Sequence, residues 1–230
     1  MKLLHILTIV AALSSTAFSQ TPEPGASPAI NAKFRDPDLK VDEWAGKFET
    51  ESREVFAQRR QIVSAMKMAP GMAVADVGAG TGLFTVPMAV GVGKEGKVFA
   101  VDISPKFIEH LQVRAKTAGL ENIKTVLCTE SSTELPAASI DMAFICDTYH
   151  HFEHPADTLK SLHAALKPGG RLLLVDFKRI AGQSSDFIMG HVRAGQEVFE
   201  AEITAAGFKK TGEESFLKEN YFTIFVKVEK

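Results

Sequence analysis

The chain has 230 residues, 45% hydrophobic and 23% charged, with a formal net charge of −2. That length supports one sizeable core in one domain, and the composition is that of an ordinary globular protein. A near-neutral balance with no basic run excludes a protein built mainly to bind nucleic acid.

Met1-Lys2 is followed by an apolar run from Leu3 to Leu13, broken only by His5 and Thr8, and then by Ser14-Ser15-Thr16-Ala17-Phe18-Ser19-Gln20. A positive start, a short apolar segment and small residues before a cut are the marks of a secretory signal peptide. Ala17 and Ser19 take the small-residue positions, so residues 1–19 are expected to be cleaved and the protein exported, periplasmic or secreted. The alternative is an uncleaved signal that anchors the chain in a membrane. The run is shorter than the roughly 20 apolar residues that a stable span needs. No cysteine follows it to carry a lipid.

Residues 20–40 hold Pro22, Pro24, Pro28 and Pro37 among polar groups and read as a flexible leader, which leaves 41–230 as the folded domain. A helical pattern near Lys47 to Met66 puts Phe48, Val55, Phe56, Ile62, Val63 and Met66 on one face. Gly71 begins the turn into a first strand that ends at Val77. After a glycine-rich turn, a helix runs to about Val90, and Gly91 to Gly96 turns into a second strand, Val98 to Val101. Ser104 is a candidate N-cap with Pro105 at the first helical position, and Gly119 is placed to end that helix. Ile123 to Leu127 is the third strand and Asp141 to Cys146 the fourth. A helix from about Pro155 to Leu166 ends before Pro168-Gly169-Gly170, and Arg171 to Phe177 is the fifth strand. Residues 178–195 are expected to be irregular. A helix from Gln196 to Ala206 ends at Gly207, and strands near Phe208 to Gly212 and Tyr221 to Val228 close the chain as an antiparallel pair. Strands alternating with helices imply a parallel sheet covered on both faces. No internal repeat is present.

The most specific segment is Val74-Ala75-Asp76-Val77-Gly78-Ala79-Gly80-Thr81-Gly82. It reads as a buried strand, a glycine-rich turn and the start of a helix, whose free N–H groups favour a polar or anionic ligand group. Asp102 follows about 20 residues on, at the end of the second strand, which is the spacing a ribose diol needs in a nucleotide-binding βαβ unit. A dinucleotide fingerprint would require glycine where Leu83 stands, so a nicotinamide-dependent oxidoreductase is disfavoured.

The pattern Asp76-x-Gly78-x-Gly80-x-Gly82 after a strand resembles motif I of the class I S-adenosylmethionine-dependent methyltransferases of small-molecule type. Ala100-Val101-Asp102-Ile103-Ser104 resembles the family's acidic second-strand end. Ser139-Ile140-Asp141-Met142-Ala143-Phe144 resembles its fourth strand, and Leu166-Lys167-Pro168-Gly169-Gly170-Arg171-Leu172-Leu173-Leu174 its turn into the fifth. The resemblance implies an α/β, Rossmann-like doubly wound sheet of seven strands, mostly parallel with an antiparallel last strand, in the order 3-2-1-4-5-7-6. In that order two strands, about 4.8 Å apart per step, separate Cys128 from Cys146. The resulting gap of about 14 Å is too wide for a disulfide, and both are expected to be buried free thiols.

S-adenosylmethionine is the cofactor that the resemblance implies. Gly78, Gly80 and Gly82 would line its methionine portion, Asp76 would help hold its amino group, directly or through water, and Asp102 would accept from both ribose hydroxyls. Ile103 is placed to pack on the adenine. Glu130, Ser131 and Ser132 follow the third strand where the family meets the adenine edge, although the usual aspartate is absent and an ordinary polar loop accounts for them equally well.

Asp147-Thr148-Tyr149-His150-His151-Phe152-Glu153-His154 follows the fourth strand, where crevices of parallel sheets bind ligands. There Asp147 or Tyr149 would face the sulfonium side, and His150 or His151 could take a proton from the acceptor. Packing and hydrogen bonding within the loop is the competing explanation for the histidines. His150, His151 and His154 lack a convincing metal-ligand spacing, and no metal is expected. Arg193 and His191 lie in the irregular insert, where the family often covers its acceptor. Trp44, Phe48, Arg53 and Glu54 lie where the family's N-terminal helix covers the cofactor.

The expected activity is methyl transfer to a small-molecule acceptor, with no nucleic-acid partner and no stable membrane span. The alternative is an exported S-adenosylmethionine-binding protein without transfer activity. Arsenic methylation is disfavoured because that chemistry leans on several cysteines.

Overall fold

The computed structural model describes residues 25–229. The expected signal peptide, residues 1–19, lies outside the described residues. In chain order, α1 (Ala29–Ala32), α2 (Val41–Phe48), α3 (Glu54–Ala57) and α4 (Arg59–Ala65) precede β1 (Ala73–Val77). Next come α5 (Thr85–Val92), β2 (Lys97–Asp102), α6 (Pro105–Thr117), β3 (Ile123–Leu127) and β4 (Ile140–Cys146). A single 3-10 turn, Tyr149–His151, leads to α7 (Pro155–Ala165) and β5 (Leu166–Phe177). The chain continues through α8 (Asp186–His191), α9 (Gln196–Ala205), β6 (Phe208–Glu214) and β7 (Asn220–Lys227).

The strands form one seven-stranded sheet in the order β3-β2-β1-β4-β5-β7-β6. The pairs from β3 to β5 are parallel, and β7 is antiparallel to both its neighbours. The expected doubly wound architecture is therefore the observed one. Its physical basis is visible in β4 and β5, whose central residues are buried whichever face they point to. Met142 and Phe144 share a core with Ile62 of α4 and Met88 of α5, whereas Ala143 and Ile145 share another with Leu159 of α7 and Phe199 of α9. Alternate residues of one strand thus feed two helical layers. The edge strand β6 is buried only at Phe208, then alternates exposed and half-buried positions, and carries Lys209 and Glu213, which discourages further strand pairing.

Local signals hold where local chemistry decides. The Ser104 hydroxyl accepts from the Phe107 N–H, Pro105 opens α6, and Gly119 has φ +65° just beyond its end. Three expectations are corrected. The pattern from Lys47 to Met66 is three short helices, because Glu49 and Arg53 leave the helical path to meet partners across the site. Residues 178–195 are not wholly irregular, since the Ser185 hydroxyl caps α8 by accepting from the Ile188 N–H. The expected flexible leader, residues 20–40, is tied down from Gly25 onward: the Ala26 N–H donates to the Phe152 carbonyl at 2.8 Å, and α1 lies against the loop after β4. Both cysteines are free, and they are half-buried rather than buried. Among the described residues no helix is long and apolar enough to cross a membrane.

Candidate active site

The carboxyl ends of β1, β2 and β4 open into a cavity of about 640 Å³. Its floor on one side is the glycine-rich turn. Gly78 has φ +75°, and a Cβ there would stand 2.2 Å from Thr148 Cγ2, so only glycine fits. The Gly78 and Ala79 N–H groups both donate to the Val101 carbonyl, which draws the turn toward the end of β2. There Asp102 accepts from the Gly80 N–H at 2.7 Å with one oxygen and from the Ser104 N–H at 2.9 Å with the other. Burial pushes the Asp102 carboxyl up to about 6, against the opposing effect of these N–H bonds.

Gly78, Gly80, Asp102, Ile103, Glu130 and Asp147 line the cavity, as do His150 and His151. Four expected residues do not. Asp76 is buried beneath the turn and accepts from the Thr85 hydroxyl at 2.6 Å. Burial, offset in part by that bond, pushes it up to about 7. Gly82 packs on α6, where a Cβ would meet Leu111 at 2.8 Å. Ser131 lies outside the wall that its neighbours Glu130 and Ser132 join. Tyr149 is fully buried, and its hydroxyl donates to Glu202 at 2.8 Å, so it does not face the sulfonium side of the site. Arg193 is also drawn inward, to an ion pair with the same Glu202.

The N-terminal segment roofs the cavity with Phe34, Trp44 and Phe48, whose rings pack on one another. Three polar ties hold the roof. Glu49 accepts from the Thr81 hydroxyl at 2.7 Å and from Arg114 at 2.6 Å. Arg53 pairs with Asp147, which also accepts from the Asn220 side chain at 2.6 Å. Glu54 accepts the backbone N–H groups of Lys218, Glu219 and Asn220. Asp147 has φ +47°, a conformation that non-glycine residues rarely adopt and that these partners hold in place. Burial pushes its carboxyl up to about 6, opposed by Arg53.

Opposite the glycine turn, three imidazoles meet. The His150 ring lies 4.5 Å from that of His151 and 5.1 Å from that of His191, which reaches the cavity from α8. His150 Nδ1 is 2.7 Å from Oδ1 of the fully buried Asp176. His151 Nδ1 is 3.0 Å from Asn31 Oδ1. Asn31 Nδ2 donates to the His151 carbonyl and to Glu153, so its oxygen must be the atom that faces the ring. Burial and the neighbouring imidazoles push His151 down to about 2 and His191 down to about 4, so both rings are neutral.

The match to known proteins covers this same core. Residues 74–170 match the family described as methyltransferase domain. Curated relatives include the demethylmenaquinone methyltransferase of Geobacillus stearothermophilus, 30% identical over 112 residues, 49% of this chain and 48% of that protein. The demethylmenaquinone methyltransferase of Staphylococcus epidermidis is 27% identical over 168 residues, 70% of this chain and 68% of that protein. The chain spans about half the length of the first of these relatives. Among solved structures, a SAM dependent methyltransferase from Aquifex aeolicus superposes with a TM-score of 0.73 at 22% identity, over 82% of this chain and 99% of that one. That likeness shows the fold: a Rossmann-like methyltransferase sheet.

Sequence reasoning did not find Asn31, Glu49 or Asp176 as site residues. Asp176 ends a strand beside β4, the position at which a parallel sheet presents side chains to its crevice, and that was the available signal. Asn31 and Glu49 carry no local signal, because their partners lie far along the chain.

Proposed function

We propose that the protein is an S-adenosylmethionine-dependent methyltransferase acting on a small-molecule acceptor. One observation carries this reading: the fixed Asp102 beside a side-chain-free glycine turn and a carboxylate-backed histidine share a single cavity. The match of residues 74–170 to the methyltransferase domain supports it.

The residues fit the cofactor. Each Asp102 oxygen uses one lone pair on a backbone N–H and keeps another for a ribose hydroxyl. A Cβ at Gly80 would already touch Phe48 at 3.6 Å, so the roof lies directly over the bare turn. Ile103 and Phe107 offer apolar surface for adenine, and Glu130, in the same wall, would meet its edge. Asp147, held by Arg53 and Asn220, lines the cavity and would take up the amino group, the role expected of Asp76. When bound, the cofactor supplies a methyl group on a sulfonium, already a good leaving group.

The protein's own work is then alignment, exclusion of water and proton removal. Trp44 and Phe48 cover the cavity, and the polar ties of Glu49 and Arg53 keep them there. His150 is the best-placed base of the three imidazoles. Asp176 takes its Nδ1 hydrogen, frees Nε2 to accept, and stabilises the imidazolium that forms. His151 is a poor base, since its conjugate acid is disfavoured down to about 2 by burial and by its neighbours. On the acceptor side Phe152, Phe177, Phe187 and Ile188 make the wall apolar. The relatives are named for a quinone precursor, so hydroquinones and phenols are the first acceptors to test.

Calorimetric titration with S-adenosylmethionine, paired with a turnover screen of phenols, hydroquinones and thiols, tests the reading. Saturable binding that Asp102→Ala abolishes, with methyl appearing on one acceptor, is the expected result. Absence of binding would sink it, and binding without turnover would favour a cofactor-binding protein.

A further inference from the structure

We propose that His150, His151 and His191 form a divalent transition-metal site with an open fourth position on the acceptor side of the cavity. One ring nitrogen of each lies within 4.8 Å of the other two. The Nδ1 atoms of His150 and His151 are committed to Asp176 and Asn31, which leaves Nε2 on each to coordinate. Among the described residues no hydrogen bond uses either Nε2 or any ring nitrogen of His191. Three imidazoles therefore meet at one point of the cavity, each with a ring nitrogen that no protein group occupies.

An outer layer of partners sets this cluster apart from a chance histidine contact. A metal-bound histidine gives its other ring N–H to a carboxylate or carbonyl, which fixes tautomer and ring plane. Asp176 does this for His150 and the Asn31 amide oxygen for His151. Asp176 is fully buried and takes the Phe177 and His150 backbone N–H groups as well, so its carboxylate is anchored independently of the imidazole. Its negative charge also offsets the charge of a bound cation. Tetrahedral coordination at about 2.0–2.1 Å puts ligand nitrogens roughly 3.3 Å apart. From the present separations, side-chain shifts on the order of 1 Å close the site, and half-buried His191 on the short helix α8 has room to make them.

Three imidazole ligands select zinc, cobalt, nickel or copper over magnesium and calcium, which prefer oxygen. Three protein ligands with a vacant fourth position is the arrangement of a catalytic rather than a structural site. The fourth ligand would be the acceptor's own oxygen or sulfur. Coordination lowers the pKa of such a group, so the acceptor's proton would pass to solvent water as it binds the metal, and His150, then a ligand, would not serve as base. This use of the metal rests on the methyl-transfer reading, whereas the site itself rests only on the triad.

The test uses tag-free protein, stripped with a chelator and titrated with cobalt(II) in the absence of S-adenosylmethionine. Visible absorption saturating at one cobalt per chain, and bleached by one equivalent of zinc, is expected. His191→Ala and His151→Ala should each weaken cobalt binding at least tenfold while the circular dichroism spectrum is kept. His154→Ala, an exposed histidine outside the cavity wall, should bind as the parent does. No saturable absorption, or absorption that survives both triad substitutions, overturns the site. Calorimetry of the stripped protein with S-adenosylmethionine reads the methyl-transfer proposal separately, so either can fail while the other stands.

Discussion

His150 Nδ1 and Asp176 Oδ1 are 2.7 Å apart, in a pocket where neither side chain is more than 2% exposed. A buried carboxylate that also accepts two backbone N–H groups holds one imidazole tautomer and one ring plane. Asp176→Asn keeps the shape and removes the charge. Its turnover is expected to fall by about a hundredfold or more, the scale of a positioned general base, whether the ring takes a proton or holds a metal. Binding of S-adenosylmethionine, measured by calorimetry, should change less than about threefold, because Asp102 lies on the other side of the cavity. Equal losses in both would show that Asp176 only supports the fold.

Cofactor affinity should depend on pH through Asp102. Burial lifts its carboxyl to about 6, and only the charged form accepts from both ribose hydroxyls. Affinity should therefore be full near pH 8 and decline as the pH is lowered through about 6. In Asp102→Asn the affinity should be at least about tenfold weaker at pH 8, the loss of one charged hydrogen-bond acceptor, and the decline near pH 6 should become shallower, leaving only the share of Asp147, whose carboxyl is also lifted to about 6. Dissociation constants from pH 5 to pH 8 by calorimetry decide the matter.

The glycine turn, the Ser104 cap and Asp102 were legible because each follows from contacts within a short stretch, whereas the order of strands was legible only through the resemblance to the methyltransferase family. The histidine cluster was legible in part. His150 and His151 were visible after β4, but the third member is His191 from α8 rather than the nearby His154, which serves as the N-cap position of α7. The single helix expected from Lys47 to Met66 breaks because Glu49 and Arg53 leave the helical path to meet Thr81, Arg114 and Asp147. The proline-rich segment around Asn31 packs because its partners, His151 and Glu153, lie some 120 residues away. Periodicity and turn chemistry describe neighbours, so pairings of that range leave no mark in them.

Asp76 should make stability fall as pH rises. Burial lifts its carboxyl from 3.8 to about 7, against the Thr85 hydrogen bond and with help from the charge of Asp102. The native state thus binds a proton that the unfolded chain releases above about 4. By linkage, this contribution is full at low pH and is lost progressively as pH rises through about 4 to 7. Asp76→Asn, which cannot ionise, should lack it. The Tm of the variant relative to the parent should rise between pH 5 and pH 8, by about 2–4 °C for each kcal/mol involved. A constant difference in Tm across that range would show that Asp76 does not titrate there.

Glu49 fastens the roof to the glycine turn. It accepts from the Thr81 hydroxyl and from Arg114, and Arg114 also donates to the Thr81 carbonyl, so one carboxylate spans roof, turn and α6. Burial alone would raise its pKa, but the Arg114 and Thr81 bonds outweigh that and hold it below the usual range. Both ion-pair partners are partly exposed, so the tie contributes about 1 kcal/mol or less to stability. Its effect should appear in residence time instead. Glu49→Gln should lower Tm by no more than a few degrees, the range expected for about 1 kcal/mol. It should speed release of S-adenosylmethionine severalfold in stopped-flow fluorescence from Trp44, the single tryptophan, which lines the cavity. Association should change little, because the substitution leaves the turn and Asp102 as they are. An unchanged release rate would mean that the aromatic packing of Phe34, Trp44 and Phe48 alone holds the roof shut.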